Sequence, residues 1–467
     1  MFNDQISFAI MLTVSLAFAA WYGRRHGKQY ALGAGMAVSM LAGTWFEIEV
    51  FNTPINVTMA TAIVLLIVYC THSWREIFKA INLLDVLITA LFLWHIVVDV
   101  YYDGNPLAIA AQAYGQWMLP YAAGRYAFVH AGSLEKLSPV FVTVAAIISV
   151  AAIFESVSGI NLWELLLTEM DDKVSHPRRR RYDWLYRAAG PVRHPIFLGI
   201  VLMTMLPFAV DLVSRQRDSS KKRILVSTGL AAVILGVGAT LSRGPILCLP
   251  VSALFAVAWY DRIARWSIII LAMIGSLIAI VYADSFLSYL DSSESNRGES
   301  HIVEIDDRNS PQIYTSSRNR IFVVKIYGPL VVKGGPVGYG SKRSTGFPPR
   351  NLPGLPADPT VRERLGVVDN SYINIGLRFG WIGLVTFVCT LLFTISFALR
   401  FALVASTYLY PCDWQCMIAY AGVFFALLFE IGTVFWSYDY AFWIMLQIGA
   451  ISGSASQVAQ ARTKGWI

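Results

Sequence analysis

The chain of 467 residues is 56% hydrophobic and only 14% charged, with a mean hydropathy of +0.54. That balance excludes a soluble globular domain and defines a polytopic membrane protein. Its 37 Lys and Arg against 30 Asp and Glu leave a net charge of +7. No Walker loop, dinucleotide glycine pattern or nucleic-acid signature accompanies that charge, and no internal repeat of the secondary-transporter kind is visible.

Every backbone amide in hydrocarbon must be satisfied within its own segment, so apolar runs of roughly 17 to 23 residues predict transmembrane helices. Such runs fall near 5–22, 31–46, 57–73, 83–101, 107–123, 138–156, 195–213, 224–241, 245–260, 266–283, 375–399, 414–436 and 440–456, about thirteen in all, with the second and fifth the weakest. The first lacks the basic flank of a secretory signal, carrying Asp4 instead, and reads as a retained span, although Ala17-Phe18-Ala19 mimics a cleavage site. The fold class expected is therefore all-α, with about 12 to 13 transmembrane helices and one large outer loop containing short helices. Five segments follow: transmembrane helices over 1–156, a basic segment over 157–194, helices over 195–283, the large loop over 284–370 and helices over 371–467.

Lys and Arg concentrate in alternate short connections, at Arg24, Arg25 and Lys28, Arg75 and Lys79, Arg125 and Lys136, Arg215 to Arg223, Arg262 and Arg265, and Arg462 and Lys464. That side is predicted to be cytoplasmic, with the N-terminus outside and the C-terminus inside. Three basic features fall on the outer face against this bias: Arg178 to Arg181 continuing through Arg187 to Arg193, the lone Arg243, and the arginines of the large loop, including Arg318 and Arg320. Positive charge kept where topology disfavours it points to an anionic partner outside, although a run of four arginines also suits a headgroup-facing stretch.

Arg193 precedes an apolar helix whose N-terminus itself favours anions. Arg243 sits at a Gly-Pro break between two apolar runs, where a charge needs a partner; the structural alternative is a pair with Glu430, inside the twelfth run. Within the loop, 321–332 predicts a short helix ended by Gly334-Gly335-Pro336, while 291–310 and 342–359 are expected to be mobile. The loop closes on Asp369-Asn370-Ser371-Tyr372-Ile373, where Asp369 suits either catalysis or helix capping. The five cysteines fall mostly in apolar runs and lack zinc-site spacing, so no metal is expected. His95 and Asp99, one turn apart in the fourth run, read as a proton relay or as a satisfied hydrogen bond.

Ser242-Arg243-Gly244-Pro245, an arginine opening a loop helix at Arg320, Pro336-Val337-Gly338-Tyr339-Gly340, and Asp369-Asn370-Ser371-Tyr372-Ile373 with Gly380 and Gly383 following resemble, in order and spacing, the O-antigen ligase and polymerase superfamily of bacterial envelopes. The similarity covers roughly residues 190 to 400, and the N-terminal third matches only in being hydrophobic. It implies a GT-C-like multi-pass protein of the bacterial inner membrane, with its active site facing the periplasm. The substrates implied are an undecaprenyl-diphosphate-linked glycan donor and a glycan acceptor, with no cofactor and no nucleic acid. A chain-length regulator or export machinery are partners of the kind such a protein meets.

By the same resemblance, Arg193, Arg243 and Arg320, with Arg318 as near neighbour, hold the diphosphate, and a loop residue activates the acceptor hydroxyl. Ligases of the family carry a histidine before the asparagine, where this chain has Asp369. A carboxylate also serves as a general base, and losing the histidine shifts the expectation from ligase to polymerase of O-antigen or exopolysaccharide repeats. Asn370 and Tyr372 would position the acceptor and Glu430 would line the cavity. A lipid-linked glycan transporter running through His95 and Glu430 is the remaining alternative.

Overall fold

The computed structural model describes residues 2–50, 53–77, 81–166, 180–182, 184–216, 220–281, 301–303, 312–314, 319–341, 366, 368–408 and 413–463. Arg178, Arg179, Arg318 and the flank 342–359 lie outside the described residues. In chain order the helices are α1 Phe2–His26, α2 Ala31–Ser39, α3 Val57–Ile77, α4 Leu83–Tyr101, α5 Pro106–Ala113, α6 Leu119–Phe128, α7 Ser133–Ser158, α8 Pro195–Arg215, α9 Ser220–Ala239, α10 Arg243–Tyr260, α11 Arg262–Val281, α12 Asn319–Gly334, α13 Ser371–Tyr408, α14 Asp413–Glu430 and α15 Tyr438–Thr463. Among the described residues eight helices are long and apolar enough to cross a membrane, fewer than the thirteen runs. The chain is an all-α polytopic membrane protein.

The run over 31–46 departs most from expectation. Its helix, α2, has nine residues, all buried, and spans about 14 Å, too short for a bilayer core of about 30 Å. Hydropathy does not distinguish such an internal helix from a span. The chain then turns into a hairpin of β1 Glu47–Val50 with β2 Thr53–Asn56. Short ladders also pair β3 Arg180–Tyr182 with β4 Leu185–Tyr186, and β5 His301–Val303 with β6 Gln312–Tyr314, so part of the flank expected to be mobile is a strand. The loop helix expected over 321–332 forms as α12.

Two buried ion-pair networks tie the bundle at the end away from the loop. Gly124 of α6 and Gly449 and Gly453 of α15 face the partner backbone so closely that a Cβ at any of them would meet a main-chain carbonyl, as in small-residue packing of membrane helices. There Arg125 pairs with Asp85 at 2.9 Å and donates to Ser452 and Ser456. Arg215 pairs with Asp211 at 2.9 Å and with Asp413. A charge at that depth is tolerated only when so paired.

The loop-side end is organised by a break in α13. Gly380 adopts φ 63° and ψ −171°, which frees main-chain groups on either side. The Leu377 carbonyl accepts from Tyr339 N–H at 2.7 Å, the Phe379 carbonyl from Trp94 Nε1–H at 2.8 Å, and Trp381 N–H donates to the Gly335 carbonyl at 3.1 Å. The Pro336–Gly340 motif thus docks by its backbone onto the broken helix. A second, smaller core of Phe322, Val323, Tyr327, Val368 and Leu377 packs α12 against the first half of α13.

Gly380→Ala places a Cβ against the Pro336 carbonyl and forces an L residue into a backbone region open essentially to glycine, at a cost of about 1 to 3 kcal/mol before the clash. A lowered thermal midpoint and faster exchange of the Trp381 amide are expected in tryptophan-fluorescence melts and hydrogen-exchange mass spectrometry. Gly328→Ala, with open space around the added methyl, is expected to leave both unchanged.

Candidate functional site

At the start of α13 the capping role falls to Asn370, one residue beyond the carboxylate that suits it in the sequence. Asn370 Oδ1 accepts from Ile373 N–H at 3.0 Å, and its carbonyl accepts from Asn374 N–H at 2.9 Å. Ser371, fully buried, donates to the Val434 carbonyl at 2.7 Å and lies 3.1 Å from the Tyr440 hydroxyl. Tyr372 donates to the Leu428 carbonyl at 2.6 Å. These bonds fasten the helix start to the turn that follows α14, where Glu430 ends its helix.

Asp369 is left half-buried, and its carboxylate makes no hydrogen bond among the described residues. Burial pushes its carboxyl up to about 6, against the Arg320 charge, which pulls it down. The small core brings the two charges near each other: Val368 precedes Asp369 and Phe322 lies two residues beyond Arg320, so packing the two apolar residues together carries both charged residues with them. Arg320 itself is exposed, and its charge reaches Glu430 as well.

Glu430 is 3% exposed. Its Oε2 lies 3.8 Å from Cys248 Sγ, whose thiol also reaches the Ala426 carbonyl at 3.5 Å, and its Oε1 has no hydrogen-bond partner among the described residues. The carboxylate rests on the first turn of α10, so close that a Cβ at Gly244 would strike it. Only glycine admits the acid there. Arg243, next to it, is exposed and forms no ion pair with Glu430, so the structural pairing that the sequence offers is not made. Ser242, ahead of it, accepts from Arg187 Nη2–H at 3.0 Å.

Arg193 sits at the same end but is engaged. Glu155, buried at the end of α7, accepts from Gly190 N–H at 2.8 Å, Ala189 N–H at 3.2 Å and Asn161 Nδ2–H at 3.1 Å, and so shapes the turn that presents Arg193. The guanidinium donates to Glu47 at 2.7 Å and to the Thr44 carbonyl at 3.1 Å. Thr44 in turn donates to Asp439, beside Tyr440. The arrangement brings together Asp369, Glu430, Arg320 and the Arg243-Gly244 turn, with Arg193 joined to it through Thr44, Asp439 and the Tyr440–Ser371 contact. Arg318 lies outside the described residues.

The sequence alone does not single out Arg187 or Arg378. Arg187 is one of many cations in the basic run, and its bond to Ser242 joins segments 55 residues apart. Arg378 interrupts the apolar stretch Ile373 to Trp381, which is a signal in itself, and its guanidinium lies 4.9 Å above the Phe379 ring. Among the described residues no group of three or more His, Cys, Asp or Glu could hold a metal ion. Two carboxylates beside arginines, at helix ends opening on a large loop, can accept a proton and hold an anion.

Residues 228–388 match the family profile described as O-antigen ligase. No curated protein matches the chain. The matched segment holds Arg243, Arg320, Asp369 and Gly380, while Arg193 and Glu430 flank it. Over residues 228–388, therefore, the chain carries the domain of the O-antigen ligase and polymerase superfamily.

Proposed function

We propose that the protein polymerises undecaprenyl-diphosphate-linked polysaccharide repeat units at the periplasmic face of the bacterial inner membrane, by metal-independent inverting glycosyl transfer. The observation that carries this reading is Asp369: a half-buried carboxylate beside Arg320, without a hydrogen bond among the described residues and relieved of capping by Asn370. At neutral pH a group titrating near 6 is mostly ionised yet still basic enough to take a proton.

In the reaction, the acceptor hydroxyl oxygen attacks the anomeric carbon while its proton passes to Asp369. The bond to the bridging oxygen breaks, its electron pair leaves with the lipid diphosphate, and the anomeric centre inverts. Arg243 and Arg320, with Arg193 and Arg318 as further contacts, hold the diphosphate, since guanidinium forks match phosphate oxygens. Because charge grows on the bridging oxygen as the bond breaks, these arginines stabilise the transition state more than the bound donor. For Arg193 to take part, phosphate must compete with Glu47. Glu430 lines the floor of the site, and Asn370 and Tyr372 hold the helix start against which the acceptor lies. The description of the matching profile favours a second reading, a ligase passing the finished glycan to a lipid A core or another acceptor.

Purified protein in nanodiscs with lipid-linked repeat units and EDTA is expected to give a ladder on a glycan gel. Asp369→Asn should slow transfer by about 100-fold or more, the ordinary worth of a positioned base. Arg243→Lys and Arg320→Lys should also abolish extension with the fold intact; full activity in all three variants would sink the mechanism. Transfer only when lipid A core is supplied would make the protein a ligase.

The pH profile gives a separate check. The rate should rise with pH as the Asp369 carboxyl ionises around 6 and level off above it. The sign for stability is the reverse. A raised carboxyl favours the folded chain at acid pH, and that contribution is lost as pH rises through about 6. Melts of wild type and Asp369→Asn across pH 4 to 7 should therefore converge at the acid end.

A further inference from the structure

We propose that His95 and Asp99 form a latch that positions the outer loop for glycosyl transfer by holding Ser341, where the docked motif ends. The inference rests on the glycosyl-transfer reading above. His95 and Asp99 are 1% and 5% exposed near the loop-side end of α4. Trp117 Nε1–H donates to His95 Nδ1 at 3.1 Å. An indole nitrogen can only donate, so Nδ1 is the acceptor and the ring proton sits on Nε2. From there it is given to Asp99 Oδ2 at 3.1 Å. The ring is a strut between a tryptophan and a carboxylate, with one tautomer imposed on it.

The other carboxylate oxygen does the holding. Asp99 Oδ1 accepts from Ser341 N–H at 2.6 Å. The Ser341 hydroxyl takes two bonds from Arg378, from Nε at 3.1 Å and from Nη2 at 2.7 Å. Tyr102, three residues beyond Asp99, donates to the Gly338 carbonyl at 2.5 Å, and a Cβ at Gly340 would press on the Tyr102 ring at 2.6 Å.

The segment from Gly335 to Ser341 is thus pinned twice, by the break in α13 and by α4. α12 enters this segment directly, and α12 carries Arg320. Charge buried this deeply is costly unless every partner is in place, and Asp99 has a donor on each oxygen. A latch of this kind touches no reacting atom. It governs how firmly the loop meets substrate.

The test uses the full chain in nanodiscs and three variants. His95→Gln can keep both bonds, its carbonyl accepting from Trp117 and its amide donating to Asp99, whereas His95→Leu and Asp99→Ala cannot. We expect amide exchange of Tyr339 and Ser341 to speed up about tenfold in His95→Leu and Asp99→Ala and to stay near wild type in His95→Gln. KM for the lipid-linked donor should rise about tenfold in the first two with kcat within about threefold, and His95→Gln should restore it.

Exchange at Tyr339 and Ser341 unchanged in both Leu and Ala variants would overturn the latch. A Gln variant as defective as the Leu variant would overturn it too, since a titrating imidazole would then be required. If the wild-type protein transfers no sugar, the glycosyl-transfer reading fails, and the exchange measurements still decide whether the latch exists.

Discussion

A helix that stops hydrogen-bonding to itself at the edge of a membrane must find partners for the groups it releases, and Gly380 creates that demand in α13. The released carbonyls of Leu377 and Phe379 and the Trp381 amide are met by Tyr339, Trp94 and Gly335. Leaving such a group unpaired in an apolar setting costs roughly 2 to 7 kcal/mol, so the dock is specified strongly. Because its bonds are made by main chain, side chains in Pro336–Gly340 matter mainly through backbone shape. Gly338 has φ 74° and lies close against the Gly380 amide, so two glycines make room for each other. The consequence reaches the site: α12 leads into the dock, the first half of α13 leads out of the Asp369 motif, and the small core around Tyr327 locks the two together.

Glu430 supplies the other fixed point. A carboxylate 3% exposed with one oxygen unpartnered among the described residues is not explained as a stabilising feature. The sequence nonetheless makes room for it with Gly244, and the neighbouring Arg243 is exposed and makes no ion pair with it. Had these two residues paired, the arginine would be neutralised and less available to an anion. Their separation leaves an exposed cation next to a glycine that packs on a buried acid, a guanidinium free to meet the phosphate oxygens of the proposed donor.

Much of this is legible in the chain because it is local. The fourth apolar run, 83–101, emerges as Leu83–Tyr101, and the loop helix begins two residues earlier and ends two later than expected. Both follow from hydropathy and from punctuation by glycine and proline. What is not legible is set by contacts distant in sequence. The run at 31–46 is apolar because α2 is enclosed by protein, and composition reads protein and lipid alike. Whether Asp369 or Asn370 caps α13 depends on a one-residue shift in where the helix begins, which propensities do not resolve. The role of His95 depends on Trp117, and that of Asp99 on Ser341, 242 residues away.

The same one-residue shift bears on the departure from the ligase pattern. If Asp369 were the cap, its carboxylate would be spent on backbone amides, held strongly anionic, and a poor base. With Asn370 capping, the carboxylate at 369 is held by burial and by Arg320 in opposition, a balance that leaves it near 6, close to where an imidazole titrates. An aspartate in this setting is therefore chemically nearer to a histidine than its ordinary value suggests. Under the proposed mechanism the exchange of residue type need not exchange the chemistry, and residue 369 by itself does not separate a polymerase from a ligase.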